Sequence, residues 1–180
     1  MVPKASLEHT EHGQVPNGEG WFVLNARDAR WRPSEGRGAY CSFEGEPDFP
    51  QLGIHLVALR PGELMAMYHW EADQEDFLVL SGEALLIIEG EERALGQWDF
   101  VHCPAETQHV IVGAGDGPCL VLAVGARDRS NGPEWGGYTV NEVAARHGAS
   151  VEEDTTVPAE AYAAFPSRQP SAYREGWLPD

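Results

Sequence analysis

Residues 61–109 read PGELMAMYHWEADQEDFLVLSGEALLIIEGEERALGQWDFVHCPAETQH. Short apolar runs alternate here with turn signals. The runs are Leu64–His69, Glu75–Leu80, Ala84–Glu89, Glu91–Leu95 and Asp99–Cys103. The breaks are Pro61-Gly62, Ser81-Gly82, Glu89-Gly90, Leu95-Gly96 and Pro104-Ala105-Glu106. Outward from this stretch, Leu52–Leu59 precedes it, while His109–Val112 and Cys119–Val124 follow, the last after a Gly113–Pro118 loop. Val, Ile, Leu and Phe dominate these runs and suit pleated, buried strands. Strand-length runs at regular spacing predict an all-β sandwich or barrel. The breaks are too short for helical crossovers, which argues against a parallel α/β sheet.

The same stretch carries the chemistry. Two histidines and one or two carboxylates stand near predicted strand ends, and imidazole with carboxylate suits a divalent transition metal. In a strand, alternate residues share a face. Met65, Met67, His69 and Glu71 then point one way, and Leu64, Ala66, Tyr68 and Trp70 the other. After the turn Ala72-Asp73-Gln74, a hairpin is expected to bring Glu75 beside His69 or Glu71. His109 opens a later strand. Cys103 is read as facing inward and His102 outward, at a subunit contact. His55, among alternating apolar neighbours, is read as a structural histidine facing the interior.

These residues resemble the two signature motifs of the cupin family. The first motif is Gly, five residues, His-x-His, three or four residues, Glu, six residues, Gly. Glu75 and Gly82 fit its second half. Its first half fits in two registers. One puts His69 and Glu71 at the His-x-His positions, with Gly62 one residue too far upstream. The other fits Gly62 but puts Tyr68 and Trp70 there. The first is preferred because it leaves four ligand-capable side chains: His69, Glu71, Glu75 and His109. The second motif is Gly, five residues, Pro-x-Gly, two residues, His, three residues, Asn. Pro104 and His109 fit, Glu106 replaces Gly, Gly113 replaces Asn, Gly96 has seven residues before Pro104 instead of five, and Asp99 occupies a turn position that is often Asp in this family.

The resemblance implies a double-stranded β-helix (jelly-roll) barrel over residues 52–125. It also implies one divalent transition metal (Zn, Fe, Mn or Ni) on His69, Glu75, His109 and Glu71. The expected activity is metal-dependent, of oxygenase or isomerase type, on a small polar metabolite. A non-catalytic small-ligand binder and a structural protein with a degenerate metal site are the alternatives. Cupin barrels commonly pair, so a homodimer is expected.

The 180 residues carry 12 basic and 29 acidic side chains, a net charge of −17. Such a field repels nucleic acid and anionic membrane surfaces, so neither is an expected partner. Three cysteines without a CxxC pair argue against a disulfide framework. No run approaches the ~18 apolar residues of a membrane span, and residues 1–20 lack an apolar signal core. A cytoplasmic protein is the expectation. Residues 1–20 are predicted as a flexible arm, and 21–51 as an aromatic-rich extension packed on the barrel. Residues 126–180 are predicted as an extension with one or two short helices, Asn141 capping the first and Pro158 opening the second.

Overall fold

Where one strand face meets a core and the other meets a second layer, apolar residues no longer alternate. The run Val110-Ile111-Val112 is the sign of this, and it sits at the centre of the fold. A computed structural model describes residues 1–46, 48–128 and 135–179. Residues 47, 129–134 and 180, within the predicted 21–51 and 126–180 extensions, lie outside the described residues.

The strands are β1 (Ser6–Thr10), β2 (Gly13–Asn17), β3 (Trp31–Pro33), β4 (Ala39–Ser42) and β5 (Leu52–Leu59). Then come β6 (His69–Glu71), β7 (Glu75–Ser81), β8 (Glu83–Ile88), β9 (Glu91–Leu95) and β10 (Phe100–Cys103). β11 (His109–Ala114), β12 (Cys119–Ala126) and β13 (Gly136–Tyr138) complete the set, followed by helices α1 (Glu142–Ala145) and α2 (Pro158–Ala161). One sheet has the order β10-β7-β12-β5-β4-β3, and the facing sheet β13-β6-β11-β8-β9. Neighbouring strands within both run antiparallel. This is the jelly-roll barrel expected from the sequence.

Three apolar layers hold it. Between the sheets lie Val57, Leu59, Phe77, Leu86, Ile111 and Val121. Outside the five-stranded sheet, Tyr68, Ile87, Val110 and Val112 pack under Tyr138, Ala144 and Ala161 of the C-terminal extension. Outside the six-stranded sheet, Trp31, Leu56 and Leu120 pack with Tyr173 and Trp177 from the C-terminal strap. Ile111 thus faces one layer while Val110 and Val112 face another, which explains the unbroken apolar run.

Local chemistry accounts for the turns. Glu89 and Gly90 both have positive φ (49° and 75°) and form the two-residue turn from β8 to β9, as the twist of a hairpin requires. Asn141 caps α1 by accepting from the amides of Val143 and Ala144. Pro158 opens α2, where its missing N–H costs nothing.

Several expectations are corrected. Residues 1–20 are no loose arm: β1 and β2 pair as a hairpin. Backbone contacts Lys4–Trp21 and Asn17–Glu46 tie that hairpin to the body. The 21–51 segment does more than cover the barrel, because β3 and β4 join the six-stranded sheet through Tyr40–Val57 pairing. Leu64–His69 is not a strand; only His69–Glu71 is. Met67 and Tyr68 are consecutive yet bury in the same outer layer, which strand alternation forbids. The expected hairpin between the segments of His69 and Glu75 is absent as well, since β6 and β7 lie in opposite sheets.

Candidate metal centre

His69 opens β6 and His109 opens β11, and the two residues are direct partners across the β6–β11 pairing. Their rings lie 4.8 Å apart between centroids. His69 is 8% exposed and His109 2%. Each ring is fixed in the same way. His69 Nδ1 donates to the Met67 carbonyl at 2.8 Å, and His109 Nδ1 to the Thr107 carbonyl at 3.0 Å. A carbonyl only accepts, so in the neutral ring Nδ1 carries the hydrogen and Nε2 presents its lone pair. Anchoring one ring nitrogen on a carbonyl is how metal-binding histidines are oriented.

Glu75 reaches the pair from the facing sheet. Its Oε2 lies 3.3 Å from His109 Nε2 and 3.6 Å from His69 Nε2. Ligand atoms of these three residues all fall within 4.8 Å of one another. Glu75 Oε2 and His109 Nε2 are out of water with no hydrogen-bond partner. Two anchored imidazoles whose Nε2 atoms face an ionised carboxylate fit a divalent transition metal. Glu71 stands beside this group, not within it. Its Oε1 is 3.9 Å from His69 Nε2, and its side chain is 31% exposed. The geometry favours the motif register that places His69 and Glu71 together. In the other register Tyr68 would be a site residue, yet it is buried in the outer layer.

The carboxylates are pushed apart. Burial favours protonation of both. At Glu75 the imidazoles of His109 and His69, 3.3 and 3.6 Å away, override it and hold the group at about 2. At Glu71, burial and the charge of Glu75 act together and push it up to about 8. His109 is opposed by burial but raised by the Cys103 thiol and Glu75 beside it, to about 10.

The departures from the motif have a local explanation. Glu106, at the usual glycine, adopts φ 69°, a conformation that favours glycine. Its amide donates to the Glu71 carbonyl at 2.7 Å, and Thr107 N donates to the Pro104 carbonyl at 3.2 Å. This turn docks the segment before His109 against β6. Gly113, at the usual asparagine, cannot carry a side chain, because a Cβ there would lie 2.1 Å from the Arg60 carbonyl oxygen.

The centre opens on a cavity of about 180 Å³. Its wall includes Tyr40, His55, Phe77, Trp135, Tyr138 and Tyr162. Sequence reasoning placed His55 toward the interior but missed Tyr40, Trp135, Tyr138 and Tyr162. They belong to the extensions, where no motif marks them. Cys103 faces inward and is 1% exposed, while exposed His102 points outward and pairs with Asp76 at 2.7 Å. A wider groove of about 840 Å³ lies under the C-terminal strap, between Pro33, Arg60 and Trp177. Among the described residues it gathers no cluster of ligating side chains.

Comparison with known proteins agrees with this architecture. Residues 55–125 match the cupin domain family model. No curated protein matches the chain. A protein of Acidithiobacillus ferrooxidans, named provisionally as a sugar phosphate isomerase, is 32% identical. That match covers 43% of this chain and 51% of the other, with a TM-score of 0.41, so this chain spans about half that relative's length. The polyketide cyclase RemF of Streptomyces resistomycificus is 16% identical over 60% of this chain and 80% of its own, with a TM-score of 0.52, which shows a shared fold. A cupin 2 domain-containing protein of Halorhodospira halophila is 18% identical over 52% of this chain and 67% of its own, with a TM-score of 0.47. With the family match on the strands that carry His69, Glu75 and His109, residues 55–125 form a cupin domain.

Proposed function

We propose that His69, Glu75 and His109 hold one divalent transition metal, and that the barrel is an enzyme for proton-transfer chemistry, isomerase-type, on a small polar metabolite. The observation that carries this is the convergence of three ligand atoms on a cavity. Three protein ligands facing a cavity leave coordination open, as a catalytic metal requires and a structural one does not. When bound, the metal would polarise a carbonyl or hydroxyl oxygen of the substrate. Glu71 supplies the proton movement. It stays protonated near neutral pH in the metal-free site, and a bound cation would lower it toward neutrality, where a general acid–base group works best. A pair of carboxylates pushed to opposite protonation states is the usual mark of such an assignment. The similar structures carry unlike activities, so the reading rests on this site's own chemistry.

The test is elemental analysis of the purified, untagged protein beside His109→Ala and Glu71→Gln, followed by turnover on a panel of small hydroxy and oxo metabolites. Near-stoichiometric metal is expected in the wild type, lost in His109→Ala and kept in Glu71→Gln. Glu71→Gln should lower turnover by about 10²–10⁴-fold. Wild-type protein that stays metal-free after reloading would sink the proposal in favour of a binding or structural role. Iron with dioxygen-dependent turnover would replace proton transfer by oxygenase chemistry.

A further inference from the structure

Among the described residues, four buried side-chain polar atoms have no hydrogen-bond partner: Arg37 Nε, His55 Nδ1, Glu75 Oε2 and His109 Nε2. Buried polar atoms are nearly always paired, so each exception asks for a partner. Three of these four residues line the same cavity. The metal centre accounts for Glu75 and His109. It does not account for His55.

His55 lies on β5, in alternation with Val57 and Leu59 of the inter-sheet core. The Tyr40 ring lies beside it at 4.7 Å between centroids, with Tyr40 Oη 3.4 Å from His55 Nε2. Burial pushes the Tyr40 phenol up to about 12, so it keeps its proton. The one hydrogen-bond acceptor in reach of the Tyr40 hydroxyl among the described residues is His55 Nε2; donation to it leaves the ring hydrogen on Nδ1. His55 Nδ1–H is then a donor, out of water, without an acceptor.

The surrounding charge says which acceptor suits it. Glu44, the carboxylate nearest in influence to His55, is already paired with Arg127 at 2.6 Å. Behind Tyr40 stands Arg168, its Cζ 5.7 Å from the ring centroid. Arg168 donates to the carbonyls of Arg32, Arg37 and Gly38. Arg37 Cζ lies 3.6 Å over Tyr162, another wall residue. Among the described residues neither Arg37 nor Arg168 forms an ion pair. In a chain of net charge −17, Glu44, Glu75 and Asp48 act on His55 and Glu63 acts on Arg168, but Glu44 is taken by Arg127 and the two arginines behind this end of the cavity have no ion-pair partner among the described residues. Their field favours an anion.

We propose that His55, oriented by Tyr40, reads a carboxylate of the substrate, and that the substrate is a short-chain carboxylic acid held between this residue and the metal centre. This rests on the metal-centre reading given above and adds the substrate class to it. A cavity of about 180 Å³ has the volume of roughly six waters, which suits an acid of a few carbons. Recognition of a charged acceptor explains the unpaired nitrogen, the phenol that fixes its tautomer and the arginines behind the wall.

The experiment is calorimetric titration with pyruvate and 2-oxobutyrate, each beside its neutral methyl amide. The proteins are wild type, Tyr40→Phe, His55→Leu and His55→Asn. Metal content and thermal unfolding are measured on each. In wild type the acids should bind at least about tenfold more tightly than the amides, as loss of a charged hydrogen bond implies. His55→Leu should abolish that preference with metal content unchanged. His55→Asn, whose amide N–H stands near the Nδ1 position, should keep most of it, and Tyr40→Phe should weaken it. Equal binding of acid and amide, or a preference unchanged in His55→Leu, overturns the proposal; so does failure of both acids to bind wild type. If His55→Leu does not fold, Tyr40→Phe and His55→Asn decide by the same preference. Absence of metal from wild type overturns the metal-centre reading instead, since acid preference is read on the same protein with or without metal.

Discussion

At the scale of the residue, the site works by competition between burial and neighbours. Burial alone would discharge Glu75 and His109, yet each favours the charged form of the other. The metal-free centre therefore holds a proton on His109 at neutral pH. A metal must displace that proton to use Nε2, so apparent affinity should rise with pH across the neutral range. For one displaced proton the slope is about tenfold per pH unit. Chelator competition at a series of pH values measures it, and a flat profile would contradict a protonated His109. Glu44 gives a separate test. Burial pushes its carboxyl up, but hydrogen bonds from Arg127 and the Phe49 amide pull it below its ordinary value. A depressed carboxyl contributes stability above its unfolded pKa and loses it as pH falls through the folded value. Glu44→Gln should thus unfold more easily at pH 7 and show a shallower acid transition. The Arg127→Ala partner leaves a buried carboxylate unpaired, at a cost of about 3–5 kcal/mol.

At the scale of the element, two positions in the motifs show backbone geometry choosing the residue. Glu106 sits at φ 69° without being glycine. Glu106→Gly should stabilise by about 1 kcal/mol, seen as a raised Tm; a lowered one would mean the Glu106 side chain has a role of its own. Gly113 is the reverse case. Gly113→Ala drives a Cβ against the Arg60 carbonyl and should destabilise by about 1–3 kcal/mol. Because β11 carries both Gly113 and His109, the strain falls on the strand that positions a ligand. Metal content of that variant, read beside its Tm, separates lost stability from lost geometry.

At the scale of the whole molecule, the extensions are structural walls. Trp31 is fully buried and donates its indole N–H to the Ala26 carbonyl at 2.8 Å. Tyr173 and Trp177 of the strap cover it, and Ser171 exchanges two backbone hydrogen bonds with it. Trp31→Ala should cost about 3–5 kcal/mol. Truncation after Pro170 should lower Tm in the same direction, since it uncovers the same layer. An unchanged Tm in the truncated protein would show that the strap contributes nothing to the fold. No described helix is long and apolar enough to cross a membrane.

Strand runs and their turns were legible in the chain because a strand records its two faces at alternate residues, and Glu89-Gly90 or Ser81-Gly82 mark where it must reverse. His69, Glu75 and His109 were legible because metal chemistry restricts the residue types and the motif restricts their spacing. The tertiary structure alone decided that Glu75 approaches the histidines from the facing sheet. It alone placed Glu71 beside the group, and brought Tyr40, Trp135, Tyr138 and Tyr162 from distant segments to one cavity. Those relations depend on how two sheets face each other and how the extensions fold back. They are properties of packing between segments far apart in the chain, which no local periodicity records.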